Sequence, residues 1–462
     1  MQEILKALLL LSCACLTLGN RVYVHPFKLF ALENLTCVNL QSHKEKLLEE
    51  NLIEPSPIDP LNTFQGDSSP EERPDQTKQN LIQLKAEVLA GLQNGLGLRV
   101  YRTLLKQKTG NALFSPVNTF GTLVTFYLGA SLPTAAKLQE FIGIVKEGNT
   151  KNCTFVFDGY KVLTTLQHIS SLTDGTTDLQ KTFAWTFVDR GVKLSQEFAR
   201  GTRNFADSSY IRSVDFSSAS EARPLMNSFI EQTSLGKIKN LFSAIDPSSD
   251  LMFASSVHFK GKWKVPFQPE QTTTEGFWID KDTRVTVPLL SHTGSFKHKD
   301  VKGLNISVLQ LPMSKSTYML LVLPHEGADL HRIEERLFTG KRVEFSELDT
   351  GLTDGVFNVF LPKFFMSTVN DLQALLSDMN LPYVLGETAD FRGLGKKQHF
   401  TVGKVLNGAT LELSEEGSEA GEKSYNSTIV SPFRVDRPFF FAVIEGKTGA
   451  ILLLGRITDP RH

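Results

Sequence analysis

The stretch "NRVYVHPFKLF", residues 20–30, gathers groups that molecular recognition uses: the Arg21 guanidinium, the Tyr23 phenol and the His25 imidazole. Pro26 fixes its own φ and pushes His25 toward extended geometry. The segment "VHPFKLF" is therefore expected to be stretched, the form a protease cleft accepts, on a mobile N-terminal tail. Catalytic signatures are missing from the rest of the chain. It has no G-x-S-x-G elbow, no H-E-x-x-H helix, no P-loop and no metal-spaced cysteine pair beyond residue 19. His258 and His325 are expected to be structural or surface residues, and the sequence calls for no enzyme activity, cofactor or metal.

The residues before this stretch place it. Lys6 precedes an apolar run from Ala7 to Leu18, with Thr17 and Gly19 as small residues before a cleavage point, so residues 1–19 read as a secretory signal peptide. The run is too short to span a bilayer, and no later stretch approaches the roughly 20 apolar residues a span needs, so the expected location is extracellular. Losing the signal removes Cys13 and Cys15 and leaves Cys37 and Cys153. In an oxidising compartment these two are expected to form one disulfide, with two independent buried thiols as the alternative. On the chain-entropy model, closing so long a loop stabilises the fold by roughly 4–5 kcal/mol. Sequons at Asn34, Asn152, Asn305 and Asn426 agree with a secreted surface. Net charge is −1 without a basic stripe, which excludes nucleic acid as an expected partner. Phenylalanine (33) far outnumbers tyrosine (8) and tryptophan (3), so most aromatic rings have no polar handle and belong to a core.

Elements that could hold the tail begin further on. Between residues 30 and 80, Val38, Leu47, Leu48, Leu52 and Ile53 permit a short helix. The acidic linker after it carries Pro55, Pro57, Pro60, Pro70 and Pro74, which remove amide donors and block regular structure. From residue 81 the character changes: Leu81, Leu84, Val88, Leu92, Leu96 and Val100 approach helical spacing and predict a face that must be buried. Residues 81–462 read as the packed domain. Near its end, "RPFFFAVIEGKTGAILLLGRITDP" predicts a buried hairpin turning at Glu445–Gly449.

The blocks "NALFSPVNTFGTLVTFYLGA", "LMFASSVHFKGKWKVPFQPEQT", "FNVFLPKFF", "EEGSEA" and the closing hairpin resemble, in order, the signature blocks of the serpin family. That resemblance implies an α+β fold of three β-sheets with eight or nine helices. Fold alone leaves function open, since serpins include inhibitors, carriers and inert precursors. An inhibitor inserts its cleaved reactive loop as a strand, so alternate hinge residues must enter the interior. Here the hinge reads Gly417, Ser418, Glu419, Ala420, Gly421, Glu422, Lys423, and either register buries a charge, at several kcal/mol. Gly421 replaces an alanine usual in inhibitors, the Asn426 sequon lies in the same loop, the loop is shorter than in inhibitory relatives, and Asn407 stands where many inhibitors have histidine.

Within the family, the tail is similar to the head of a non-inhibitory member that serves as a hormone precursor. The resemblance implies a first cut by the aspartic protease renin between Leu29 and Phe30, whose large apolar side chains suit desolvating subsites. It implies a second cut between Phe27 and Lys28 by a carboxydipeptidase such as angiotensin-converting enzyme. The resulting vasoactive octapeptide, residues 20–27, would regulate blood pressure and salt balance through G-protein-coupled receptors contacting Arg21, Tyr23, His25 and the new Phe27 carboxylate. Asn20, where aspartate is frequent, and Lys28, where histidine is usual, depart from the common form. An inhibitory or carrier serpin acting through the loop after Gly417 is the alternative.

Overall fold

The computed structural model describes residues 26–32, 52–59, 76–145, 157–173, 180–313, 316–338, 345–386, 388–395, 397, 399–417 and 430–461. Its helices are α1 (Pro26–Phe30), α2 (Gln76–Gln107), α3 (Pro116–Gly129), α4 (Leu132–Ile142), α5 (Gly159–Ser171), α6 (Gln196–Phe205), α7 (Ala219–Thr233), α8 (Leu330–Phe338), α9 (Phe345–Leu348), α10 (Leu372–Asp378) and α11 (Pro382–Leu385). Eight of these have seven residues or more, in line with the eight or nine expected.

The strands are β1 (Leu52–Ile53), β2 (Ala112–Phe114), β3 (Gln180–Asp189), β4 (Leu194–Ser195), β5 (Ser208–Val214), β6 (Leu251–Trp263), β7 (Thr273–Trp278) and β8 (Arg284–Val301). After them come β9 (Ile306–Pro312), β10 (Thr317–Pro324), β11 (Thr353–Pro362), β12 (Phe365–Asp371), β13 (Val402–Gly417), β14 (Ser431–Arg434), β15 (Phe439–Glu445) and β16 (Ala450–Ile457). They form three sheets: a five-stranded one in the order β12-β13-β6-β3-β5, a nine-stranded one running β14-β11-β8-β9-β10-β15-β16-β2 with β7 beside β8, and the pair β1-β4.

Central elements are buried on all sides, mostly apolar but with polar side chains that find partners within the body. The first nine residues of β6 are buried without a break, the pattern of a strand covered on both faces. Helix α3 behind it starts with Pro116 at N1, and the Ser115 side chain accepts from the Asn118 N–H at 3.2 Å. Helix α7 covers the other face and closes a second apolar cluster with Phe183, Trp185, Phe187 and Tyr210. The predicted hairpin is present and buried throughout β15 and β16. Glu445 at its turn accepts from the backbone amides of Lys447 (3.0 Å) and Thr448 (2.9 Å).

Two sequence expectations fail here. In α2 the buried stripe is Ala86, Leu89, Ala90, Leu96, Val100, Tyr101 and Leu104, while Leu81 and Leu84 are exposed. The face is displaced because the first turns of α2 lie outside the packed stripe, where spacing alone cannot tell a covered leucine from an uncovered one. The proline-rich linker is also partly ordered. Leu52–Ile53 pair with Leu194–Ser195, the Ser213 N–H donates to the Ser56 carbonyl at 2.8 Å, and Pro55 is buried. Proline cannot supply a ladder donor, yet at a sheet edge it needs none, so residues 52–59 cap the outer strand β5.

Arg456 on β16 locks three segments together. It donates to Glu334 of α8 at 2.9 Å and to the Gly110 carbonyl at 3.0 Å, with both charged side chains almost wholly buried. Burial comes first in pushing the Glu334 carboxyl upward, against the pull of Arg456. Arg456→Ala would strand a buried carboxylate and should destabilise the protein by about 3–5 kcal/mol, read as a lowered urea midpoint. The Arg456→Met/Glu334→Gln double variant should recover much of that loss.

Candidate functional site

Residues 26–30 are helical, which overturns the expectation of an extended, mobile segment. The rule that residues before proline extend bears on His25, which lies outside the described residues, and leaves residues 27–30 free. Pro26 itself occupies the first helical position, where its fixed φ is preorganised and its missing N–H is no loss. Phe27 and Phe30, at i and i+3, share one face and enter the core with 8% and 0% exposure. Leu29 packs partly against the same core and Lys28 is exposed.

The body grips this turn through α2, α5 and the residues before α5. The Asp158 N–H donates to the Phe30 carbonyl at 2.6 Å, and Ala31 forms an isolated antiparallel bridge with Phe157. The peptide bond between Leu29 and Phe30 thus lies between two buried phenylalanines. Exposing both rings requires roughly 3–6 kcal/mol, at about 1.5–3 kcal/mol each. A protease that needs the segment extended meets it opened in roughly one molecule in 10² to 10⁴, since every 1.4 kcal/mol is about tenfold.

The Ala31–Phe157 bridge sets the chain six residues before Cys37 against the chain four residues after Cys153. Both cysteines lie outside the described residues. So do Asn20, Arg21, Tyr23, His25, Asn34, Asn152 and Asn426, and the hinge residues Ser418, Glu419, Ala420, Gly421, Glu422 and Lys423. Asn305 is exposed in the β8–β9 turn at φ 54°, a left-handed conformation asparagine tolerates. The Ser307 hydroxyl of its sequon donates to Asp300 at 2.5 Å and lies 3.1 Å from His325 Nε2.

Gly417 ends β13, opposite Trp263 of β6. These two strands are direct parallel neighbours from Val402↔Leu251 onward, so an inserted loop would have to part them. Behind the seam, α3 ties both strands. Asn407 Nδ2 donates to Thr119 Oγ1 (3.2 Å) and Thr122 Oγ1 (3.4 Å), Asn118 donates to the Gly408 carbonyl (3.3 Å), and Thr122 meets Ser255 at 3.0 Å. In front, Glu412 of β13 lies 3.8 Å from His258 and 4.0 Å from Lys260 of β6, and Lys363 holds Glu415 at 3.1 Å. His258 is buried and 2.9 Å from Lys237, so burial first and that ammonium second push its pKa down to about 4. Its expected structural role fits this setting. Sequence reasoning missed Glu412, Lys260, Tyr127 and Phe157, because their significance comes from partners distant in sequence.

Residues 92–460 match the family model described as Serpin (serine protease inhibitor). The chain is 33% identical over 472 residues to angiotensinogen of Bos taurus, covering 98% of this chain and 97% of that protein. It is 31% identical to the angiotensinogen of Homo sapiens with the same coverage. Among solved structures, human thyroxine-binding globulin in complex with thyroxine superposes with a TM-score of 0.69 at 27% identity, over 81% of this chain and 99% of that one.

The buried His258 yields a pH test. Its folded pKa lies below the ordinary value near 6.5, so the unfolded chain takes up the proton first as pH falls. The stability it supports is intact above about pH 6.5 and lost progressively toward pH 4, by about 3 kcal/mol in all. His258→Phe should flatten that part of the acid limb, measured as the change in urea midpoint between pH 7 and pH 4.5.

Proposed function

We propose that this chain, which belongs to the serpin family, is a secreted precursor of angiotensin peptide hormones and not a protease inhibitor. The observation that carries the reading is the helical turn at residues 26–30. A hormone-like segment is stowed on the body by Phe27 and Phe30, one on each side of the Leu29–Phe30 bond. Near full-length similarity to angiotensinogens supports it. Residues 1–19 direct secretion, residues 20–29 form the decapeptide, residues 30–80 connect it, and the serpin domain follows from residue 81.

Renin cuts between Leu29 and Phe30 after local opening. Release then follows from energetics. Before the cut, Phe27 returns to its pocket by an intramolecular step; after it, the same burial, worth about 1.5–3 kcal/mol, faces an association cost of about 4–15 kcal/mol. The decapeptide therefore leaves. Angiotensin-converting enzyme removes Lys28 and Leu29, giving Phe27 a carboxylate that the precursor lacks. Angiotensin receptors then recognise that charge together with Arg21, Tyr23 and His25. Lys28, beside the scissile bond, sets which renin accepts the chain.

In the body, a disulfide between Cys37 and Cys153 secures the tail, helped by the nearby Ala31–Phe157 bridge. Glycans occupy Asn34, Asn152, Asn305 and Asn426. Loop insertion is opposed by the charges of Glu422 and Lys423 and by the pinned β6–β13 seam.

Incubation with renin should release residues 20–29 as the first product, identified by mass; a first cut at any other bond refutes the precursor mechanism. Nicking the loop after Gly417 should leave the melting temperature nearly unchanged, because insertion would bury Glu422 or Lys423. A large upward shift after nicking would restore the inhibitor alternative.

A further inference from the structure

We infer that the Tyr127 hydroxyl positions the scissile segment, setting how often residues 26–31 leave the body. Tyr127 sits on α3 with 2% exposure, outside both the tail and the loop seam. Its hydroxyl donates to the Phe157 carbonyl at 3.3 Å and accepts from the Phe157 N–H at 3.2 Å. The two rings stack with centroids 4.0 Å apart and planes 11° apart. One hydroxyl thus occupies both backbone polar groups of a residue that is itself 1% exposed.

Phe157 is also the bridge partner of Ala31. In an antiparallel bridge of this kind the bonds to the partner come from the flanking residues, and here the Asp158 N–H donates to the Phe30 carbonyl at 2.6 Å. Phe157 accordingly turns its own N–H and carbonyl away from the tail, to Tyr127. Residues 157 and 158 form a two-sided clip: Tyr127 fixes one side and the prime side of the Leu29–Phe30 bond hangs from the other. Without the hydroxyl, two buried backbone groups lose their partner, and the way to rehydrate them is to loosen the segment before α5. That motion takes the Phe30 hydrogen bond and the Ala31 bridge with it.

The consequence for hormone release rests on the precursor reading above, whereas the clip does not. The test is Tyr127→Phe in the full-length protein, which removes the hydroxyl and keeps the ring. Losing these hydrogen bonds should raise local opening about five- to thirtyfold. Hydrogen exchange at amides 27–32 and 158 should quicken by that factor while exchange in β6 and β13 stays as in the native protein. Chymotrypsin, which cuts after large apolar residues, should nick residues 27–30 faster to the same degree. When cutting proceeds through a rarely opened state, the apparent KM varies as the inverse of the open fraction while kcat stays the same. Renin should therefore show a lower KM at unchanged kcat on the full-length variant, shifted toward the KM of the free peptide spanning residues 20–33, which has no body to open from.

Unchanged exchange at residues 27–32 in a folded Tyr127→Phe protein overturns the inference, as does quickening spread equally over β6 and β13. If Tyr127→Phe fails to fold, 4-aminophenylalanine at position 127, which keeps the ring and a donor to the Phe157 carbonyl but is a poor acceptor for the Phe157 N–H, should quicken exchange at the same amides by a smaller factor; no change there also overturns it. Should renin fail to cut the native protein after Leu29, the precursor reading falls while the exchange result still judges the clip.

Discussion

The parallel pairing of β13 with β6 fixes what lies on either side of it. With no strand between them, the five-stranded sheet is complete, α3 can tie both strands from behind, and Glu412 can reach His258 and Lys260 in front. The exposed pairs contribute little individually in water. The buried amide and hydroxyl contacts matter more, because parting the strands would leave several of them without partners in a region of low dielectric. In this setting the Asn407 amide spans two threonines of α3 and ties β13 to the helix behind it.

Much of the body was legible in the sequence because its elements are apolar in runs that admit few placements. The hairpin of β15 and β16 announces itself as a pair of covered strands, whereas β6 and the serine-capped, proline-led start of α3 entered only within blocks that resemble those of the serpin family. The tail was misread for a physical reason. Local rules applied to "VHPF" describe the residue before the proline, whereas the fate of residues 27–30 is settled by two aromatic rings finding a pocket built from α2 and from residues some 130 positions later. The leucines at 81 and 84 show the converse: they lie on the helix that the periodicity predicts, but on its exposed side. Prolines 55 and 57 were read as breakers, yet at the rim of a sheet a segment without donors is a fitting terminus.

The tail is consequently held at two separated places, the helical turn at residues 26–30 and the edge segment at residues 52–59. Opening of the first leaves the second in place. Residues 33–51 join the two places, so the freed turn remains covalently tied to the body on that side.

Strand β16 lies between β15 and β2, so residues 450–457 separate residues 112–114 from the rest of the nine-stranded sheet, while Arg456 clasps α8 and the turn at Gly110. During synthesis on a ribosome, β2 therefore waits for more than three hundred further residues before its partner exists. Non-local pairing of this kind slows folding and leaves apolar edges open meanwhile. The nascent chain thus depends on its surroundings for shelter until β16 arrives, and a truncation that removes residues 450–457 would strand the whole preceding chain in a partly assembled, adhesive state.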